Sequence, residues 1–260
     1  MNIQETVLIT GASSGIGREF ASCFAKNKSN LVLVARNVDK LEQIASQLRD
    51  QHGAQVTVIG CDLSAIGAVK WLVEELDRRK LGIEVLVNNA GFGELGKFAD
   101  LSVDRQVNML SLNVVALTEL SRRLLPNMLH ANRGGMINVA STAAFQPGPN
   151  MAVYFASKSY VLSFSEALVE ELADTNVKIC CLCPGPTDTG FGEVSGMASL
   201  KMFATAKIPA AEVAAAGYAG FRNGVAIVIP GWSNKVMIVA SKMMPSFVTR
   251  KLVSLALATS

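Results

Sequence analysis

The stretch Thr6-Val-Leu-Ile-Thr-Gly-Ala-Ser-Ser-Gly-Ile-Gly17 spells a strand, a glycine turn and a helix start in immediate succession. A short apolar run, Thr6–Thr10, reads as a strand, and a helical pattern begins at Gly15 and continues to Lys26. Gly11, Gly15 and Gly17 fall between them, where the chain must turn sharply and leave the first N–H groups of the helix unpaired. Such a helix start binds phosphate well, because the free N–H groups and the helix dipole both favour an anion. The spacing is G-x-x-x-G-x-G rather than the more familiar G-x-G-x-x-G.

The same alternation runs outward through the whole chain. Apolar runs at 31–35, 56–59, 85–88, 136–140, 177–182 and 226–229 read as further strands, several of them apolar at nearly every position. Continuous apolarity of that length marks strands buried on both faces, as in a parallel sheet. Helical patterns at 38–51, 65–80, 102–129 and 152–174 separate them. The expectation is α/β: a doubly wound parallel sheet of about seven strands. No proline-rich or charged linker and no repeat interrupts the 260 residues, so residues 1–260 read as a single domain.

Composition narrows the function classes. Half of the residues are hydrophobic, and the formal net charge is only +3 with no basic and aromatic stripe, so a nucleic-acid partner is not expected. The five cysteines, Cys23, Cys61, Cys180, Cys181 and Cys183, lie mostly in apolar runs and read as buried thiols of a reducing, cytoplasmic protein. Cys180, Cys181 and Cys183 lack zinc-ligand spacing and have no nearby histidine, so no metal is expected. Met1–Thr6 has neither the basic start nor the cleavage site of a signal peptide. The apolar tail, 232–260, is interrupted by Lys242, Pro245, Arg250 and Lys251 and does not form a transmembrane segment. It reads as helix packed on its own domain, with peripheral membrane contact as the alternative.

The glycine turn admits a competing reading. Gly11-Ala-Ser13-Ser-Gly15 also fits the G-x-S-x-G elbow of α/β-hydrolases, with Ser13 as nucleophile. That triad needs a histidine late in the chain, whereas the two present are His52 and His130. A different chemistry is spelled by Tyr154 and Lys158, one helical turn apart and thirteen residues beyond Ser141. A phenol titrates near pH ~10 and becomes a useful acid or base at neutral pH only with help from a neighbouring cation.

Five segments in order, Thr10–Gly17, Asn88-Asn-Ala-Gly91, Asn113, Ser141 with Tyr154-x-x-x-Lys158, and Pro184-Gly-Pro-Thr187, resemble the short-chain dehydrogenase/reductase family over nearly the whole chain. Leu31–Arg36 and Asn113–Leu120 look most like its bacterial reductases related to hydroxysteroid dehydrogenases. The resemblance implies a Rossmann fold and an oxidoreductase that interconverts a carbonyl (ketone, aldehyde or 3-oxoacyl group) and an alcohol by hydride transfer with a nicotinamide dinucleotide.

It also implies the roles of residues. Tyr154 is the general acid/base, Lys158 favours the phenolate and bonds the nicotinamide ribose, Ser141 donates to the substrate oxygen, and Asn113 holds a water that relays protons. Ser157 and Ser159, which flank Lys158, read as packing residues that point elsewhere on the helix. The dinucleotide is expected on Gly11, Ser13, Ser14, Gly15, Ile16 and Gly17, on Asp62 and Leu63, on Asn89, Ala90 and Gly91, on Pro184, Gly185 and Thr187, and on Tyr154 and Lys158. At the end of the second strand an acid would bind a free ribose 2′-hydroxyl and an arginine would accept a 2′-phosphate. Arg36 stands there with no Asp or Glu at 35–37, so NADP(H) is favoured over NAD(H). The turn carries no extra basic residue of the kind seen in some NADP-preferring relatives.

Residues 188–209, with Phe191, Met197, Leu200, Met202 and Phe203, correspond to a substrate lid, flexible and apolar enough to favour a hydrophobic small-molecule substrate. A homodimer or homotetramer is implied by the resemblance. The alternative to an enzyme is a catalytically idle dinucleotide-sensing regulator on the same fold, whose mark would be loss of Tyr154 or Lys158.

Overall fold

The computed structural model describes residues 5–197 and 207–257. Strands β1 (Thr6–Thr10), β2 (Asn30–Ala35), β3 (Val56–Gly60), β4 (Val85–Asn88), β5 (Gly135–Val139) and β6 (Lys178–Leu182) join the two-residue strand Ile227–Val228 in one seven-stranded sheet. Its order is β3-β2-β1-β4-β5-β6 and then Ile227–Val228, with every pairing parallel. The expected α/β architecture is therefore the one observed.

Alternate residues of each strand enter opposite cores, which is why the runs are apolar throughout. Val7 and Ile9 pack with Phe20 and Phe24 of α1 (Gly15–Lys26) and with Leu41 and Leu48 of α2 (Val38–His52). Leu8 faces the other way, onto Leu72 and Leu76 of α3 (Ala68–Arg78) and Leu120 and Leu124 of a later helix. A buried polar chain crosses between elements: Asn88 Nδ2 donates to Ser121 Oγ (3.0 Å) and to Asn138 Oδ1 (2.9 Å), and Asn138 Nδ2 donates to Ser165 Oγ (3.0 Å). These bonds offset the desolvation of the buried amides, so the chain fixes β4 and β5 against their helices.

Two helices differ from expectation. The segment 102–129 is not one helix. After α4 (Val103–Leu110), the backbone widens into a π-helical turn, Ser111–Ala116, before α5 (Leu117–Ala131) resumes. The helix expected at 65–80 starts at Ala68, because Gly67 (φ +77°) breaks the backbone ahead of it. Asp62 folds instead into a local turn, accepting from Ser64 N (3.0 Å) and Ser64 Oγ (2.7 Å).

Beyond α6 (Ala152–Glu171) the chain forms β7 (Thr187–Asp188), α7 (Phe191–Ser195), β8 (Ile208–Pro209) and α8 (Ala210–Arg222). The expected lid residues Leu200, Met202 and Phe203 lie outside the described residues. The tail is two helices, α9 (Trp232–Met243) and α10 (Ser246–Ala256), divided at Pro245. No described helix is long and apolar enough to cross a membrane, and all five cysteines are free thiols.

Candidate active site

The sheet order reverses between β1 and β4, and open α/β sheets present a crevice at the carboxyl ends of such strands. The glycine turn sits there, tied to the loop after β4. Thr10 Oγ1 accepts from the backbone N–H groups of Asn89 and Ala90 (3.0 Å each), and Asn89 Nδ2 donates to the carbonyls of Thr10 (2.9 Å) and Gly11 (3.2 Å). Gly11 (φ +64°) and Gly15 (φ +53°) adopt left-handed backbone that other residues resist. At Gly17 the reason is space: a Cβ would stand 2.5 Å from both Asn89 Nδ2 and the Gly11 carbonyl oxygen.

A cavity of about 780 Å³ opens at this point. Of the residues expected to hold a dinucleotide, Gly11, Ser13, Ser14, Gly15, Ile16, Arg36, Asp62, Leu63, Asn89, Ala90, Gly91, Pro184, Gly185 and Thr187 all line it, as do Ser141, Tyr154 and Lys158. Gly17 and Asn113 stand behind the wall, both buried. The crevice, the turn with exposed helix N–H groups and the basic end described below fit a dinucleotide phosphate chain. His52 and His130 end α2 and α5 and do not line the cavity, so Ser13 has no histidine partner there.

The helical spacing of α6 brings Tyr154, Ser157 and Lys158 to one side, all three buried. Lys158 Nζ donates to the Val139 carbonyl at the end of β5 (2.8 Å) and lies 5.9 Å from the Tyr154 ring centroid. Burial lowers the Lys158 ammonium to about 8, with the thiols of Cys181 and Cys183 acting the other way. Burial also pushes the Tyr154 phenol up to about 12, against a hydrogen bond with Ser141 that pulls it down. Desolvation thus dominates at both groups. Ser141 begins the short 3₁₀ turn Thr142–Phe145, where its Oγ accepts from Ala143 N (3.1 Å) and donates to the Pro184 carbonyl (3.4 Å).

Asn113 is set by the π-helical turn. Its side chain pairs with the backbone of Phe92, accepting from N (3.1 Å) and donating to O (2.9 Å), and its Nδ2 also donates to Ser157 Oγ (3.1 Å). Ser157 therefore does not point away as expected, but joins Asn113 to α6. Ser159 does have a packing role, donating to the carbonyls of Ala144 (2.9 Å) and Phe155 (3.0 Å).

The far end of the cavity is basic. Arg36 lies there together with Asn37 and Lys40, and Asn37 caps α2 by accepting from Lys40 N (2.9 Å). Lys40 is the extra cation that was not expected from the glycine turn. It enters from the first turn of α2, four residues after Arg36. Asp62 lies close enough to Arg36 to feel its charge: burial raises its pKa, but the two Ser64 hydrogen bonds and Arg36 bring it below the usual carboxylate range.

The near end is apolar. Met109, Ala143, Met151, Tyr154, Phe155 and Met197 form one cluster with Val253 and Leu257 of the tail. Phe191 of α7 packs on Tyr154 with ring centroids 5.4 Å apart. Ser233, Asn234 and Met237 of α9 also line the cavity, so the tail, expected to pack on its domain or touch a membrane, forms part of this wall.

A family model described as short chain dehydrogenase matches residues 5–197. The chain belongs to the short-chain dehydrogenase family. Members of this family are oxidoreductases acting on hydroxyl and carbonyl groups with a nicotinamide dinucleotide. An NADP-dependent 3-hydroxy acid dehydrogenase of Schizosaccharomyces pombe is 36% identical over 193 residues, 73% of this chain and 74% of that protein. A short-chain dehydrogenase from Sphingobium yanoikuyae, solved with NADPH, superposes with a TM-score of 0.82 at 30% identity, covering 92% of this chain and 93% of that one. A Burkholderia phymatum member of the family, solved with NAD, gives 0.84 at 25% identity over 92% and 93%.

Proposed function

We propose that this short-chain dehydrogenase reduces an apolar ketone, aldehyde or 3-oxoacyl group with NADPH and catalyses the reverse oxidation with NADP⁺. The observation that carries the reading is one cavity with Tyr154, Ser141 and Lys158 at its apolar end and Arg36 and Lys40 at its basic end. The S. pombe relative, named for NADP and a 3-hydroxy acid, supports the cofactor and the hydroxyl–carbonyl chemistry.

In this reading the bound dinucleotide supplies the hydride that reaches the carbonyl carbon. Tyr154 gives its phenolic proton to the substrate oxygen, and a phenol held up at about 12 remains protonated and available for that step. Ser141 Oγ donates a hydrogen bond to the same oxygen and stabilises its developing negative charge. Lys158, charged below about pH 8, favours the phenolate that remains and bonds the nicotinamide ribose. Asn113, held by Phe92 and Ser157, orders a water through which Lys158 exchanges protons with solvent. Arg36 and Lys40 hold the ribose 2′-phosphate, while Gly11–Gly17 and the start of α1 hold the pyrophosphate.

Assembly as a homodimer or homotetramer is supported by an exposed apolar stripe, Val103, Val107, Leu110 and Val115, at helical spacing. The free thiols support a cytoplasmic setting.

A spectrophotometric screen of NADPH and NADH oxidation against ketones, aldehydes, steroids and 3-oxoacyl thioesters tests the reading. Turnover of an apolar carbonyl with NADPH well above NADH is expected. Equal or better turnover with NADH would overturn the cofactor assignment, and silence across the panel would favour a regulatory, non-catalytic protein.

A further inference from the structure

The tail leaves a large apolar surface uncovered. On α9 the residues that face the body are Asn234 and Ile238, whereas Trp232, Val236, Val239 and Met243 repeat at i, i+4, i+7 and i+11 and stay exposed, Trp232 at 79% and Met243 at 82%. On α10, Thr249 and Val253 face inward, while Phe247 (65%), Leu252 and Leu255 face outward. On α9 that spacing makes one exposed apolar stripe, and α10 adds further exposed apolar side chains; surface of this kind marks an interaction site.

Charge indicates what the site takes. Lys235, Lys242, Arg250 and Lys251, all exposed, are the ionisable side chains of 232–257, and neither Asp nor Glu follows Glu212 in the sequence. A tryptophan and long apolar side chains interleaved with cations, with no carboxylate, fit the boundary between the headgroups and acyl chains of an anionic bilayer. A second copy of this chain would bring eight like charges together instead.

We propose that α9 and α10 seat the protein on an anionic lipid surface, lying in the interface and not spanning it. The same two helices line the near end of the cavity from their inner side, through Ser233, Asn234, Met237 and Leu257. Met237 and Val194 line the cavity and are also exposed, so they form its rim beside the lipid-facing surface. Seated in this way, the rim draws its substrate from the bilayer, which makes that substrate a lipid-borne carbonyl. This last step rests on the reaction proposed above, whereas the binding does not.

Cosedimentation of the full chain with vesicles separates the two. Vesicles containing phosphatidylglycerol are expected to carry the protein down, phosphatidylcholine vesicles much less, and added salt is expected to weaken the binding. The variant Trp232→Ser/Val239→Ser/Met243→Ser/Phe247→Ser should lose binding, and Lys235→Glu/Lys251→Glu should weaken it by at least twentyfold, at about fivefold per cation lost. In a Trp71→Phe background, Trp232 fluorescence should be quenched by lipids brominated in the acyl chain. Binding should persist in Tyr154→Phe, so a failed reaction cannot masquerade as failed binding. Activity on a short, water-soluble ketone should be unchanged in the fourfold serine variant, while activity on a long-chain ketone dissolved in vesicles falls more than tenfold. No sedimentation with either lipid would overturn the proposal. So would a fourfold variant that binds lipid normally but changes oligomeric state, which would assign the surface to a second copy.

Discussion

The Lys158 ammonium donates to the Val139 carbonyl at 2.8 Å, pinning a buried cation to the end of a central strand. One hydrogen bond does not offset its desolvation, and the pKa falls from 10.5 to about 8, corresponding to roughly 3 kcal/mol. Below pH 8 the lysine is charged in both folded and unfolded chains, and the full cost is present. Between about 8 and 10.5 the unfolded chain binds more protons, so this group's penalty disappears as the pH rises. Lys158→Met should therefore be more stable than the wild type at pH 7, by about 1–2 kcal/mol after loss of the hydrogen bond. The advantage should vanish near pH 10.5, as read by denaturant unfolding at both pH values, while carbonyl reduction falls at least a hundredfold.

Ser141 and Tyr154 make a spectroscopic prediction. In the protein alone the Tyr154 phenol should ionise near pH 12. Because the Ser141 hydrogen bond pulls that value down, Ser141→Ala should raise it further. Alkaline difference absorbance of each protein against its Tyr154→Phe counterpart isolates this phenol from Tyr160 and Tyr218. A transition in Ser141→Ala at or below the parent value would remove the proposed contact.

Gly17 is fixed by crowding and not by backbone angle. Gly17→Ala should cost about 1–3 kcal/mol, because the atoms 2.5 Å from its Cβ are a backbone carbonyl and the amide that locks the turn. Gly82→Ala, with nothing within 4 Å, should be close to neutral. Thermal unfolding of the two variants compares them directly.

At the basic end, Arg36→Ala and Lys40→Ala should each raise the KM for NADPH about 10- to 100-fold, the loss of one charge-assisted contact, and leave the KM for NADH within about twofold. Steady-state kinetics with both cofactors would expose an assignment to the wrong residue.

The sheet was legible because β1 to β6 each carry a short, mostly apolar run and are separated by longer helical patterns. The π-helical turn at Ser111–Ala116 was not, because it adds a backbone residue without disturbing the apolar pattern on either side. A single uninterrupted helix over 102–129 gives no sign of the link from Asn113 to Ser157, which the π-helical turn sets up. Lys40 is not legible from the glycine turn, because it reaches the cavity from the first turn of the next helix. The tail was legible as helix from its pattern, but the contacts of Val253 and Leu257 with Tyr154's apolar cluster depend on how α10 folds back after Pro245, which spacing does not encode.

Proton transfer by Tyr154 is read from the single-turnover rate of NADPH-dependent reduction of a good carbonyl substrate by Tyr154→Phe. At saturating NADPH a fall of about 10²- to 10⁴-fold is expected, with unfolding unchanged. Reduction at the wild-type rate would contradict proton transfer by Tyr154.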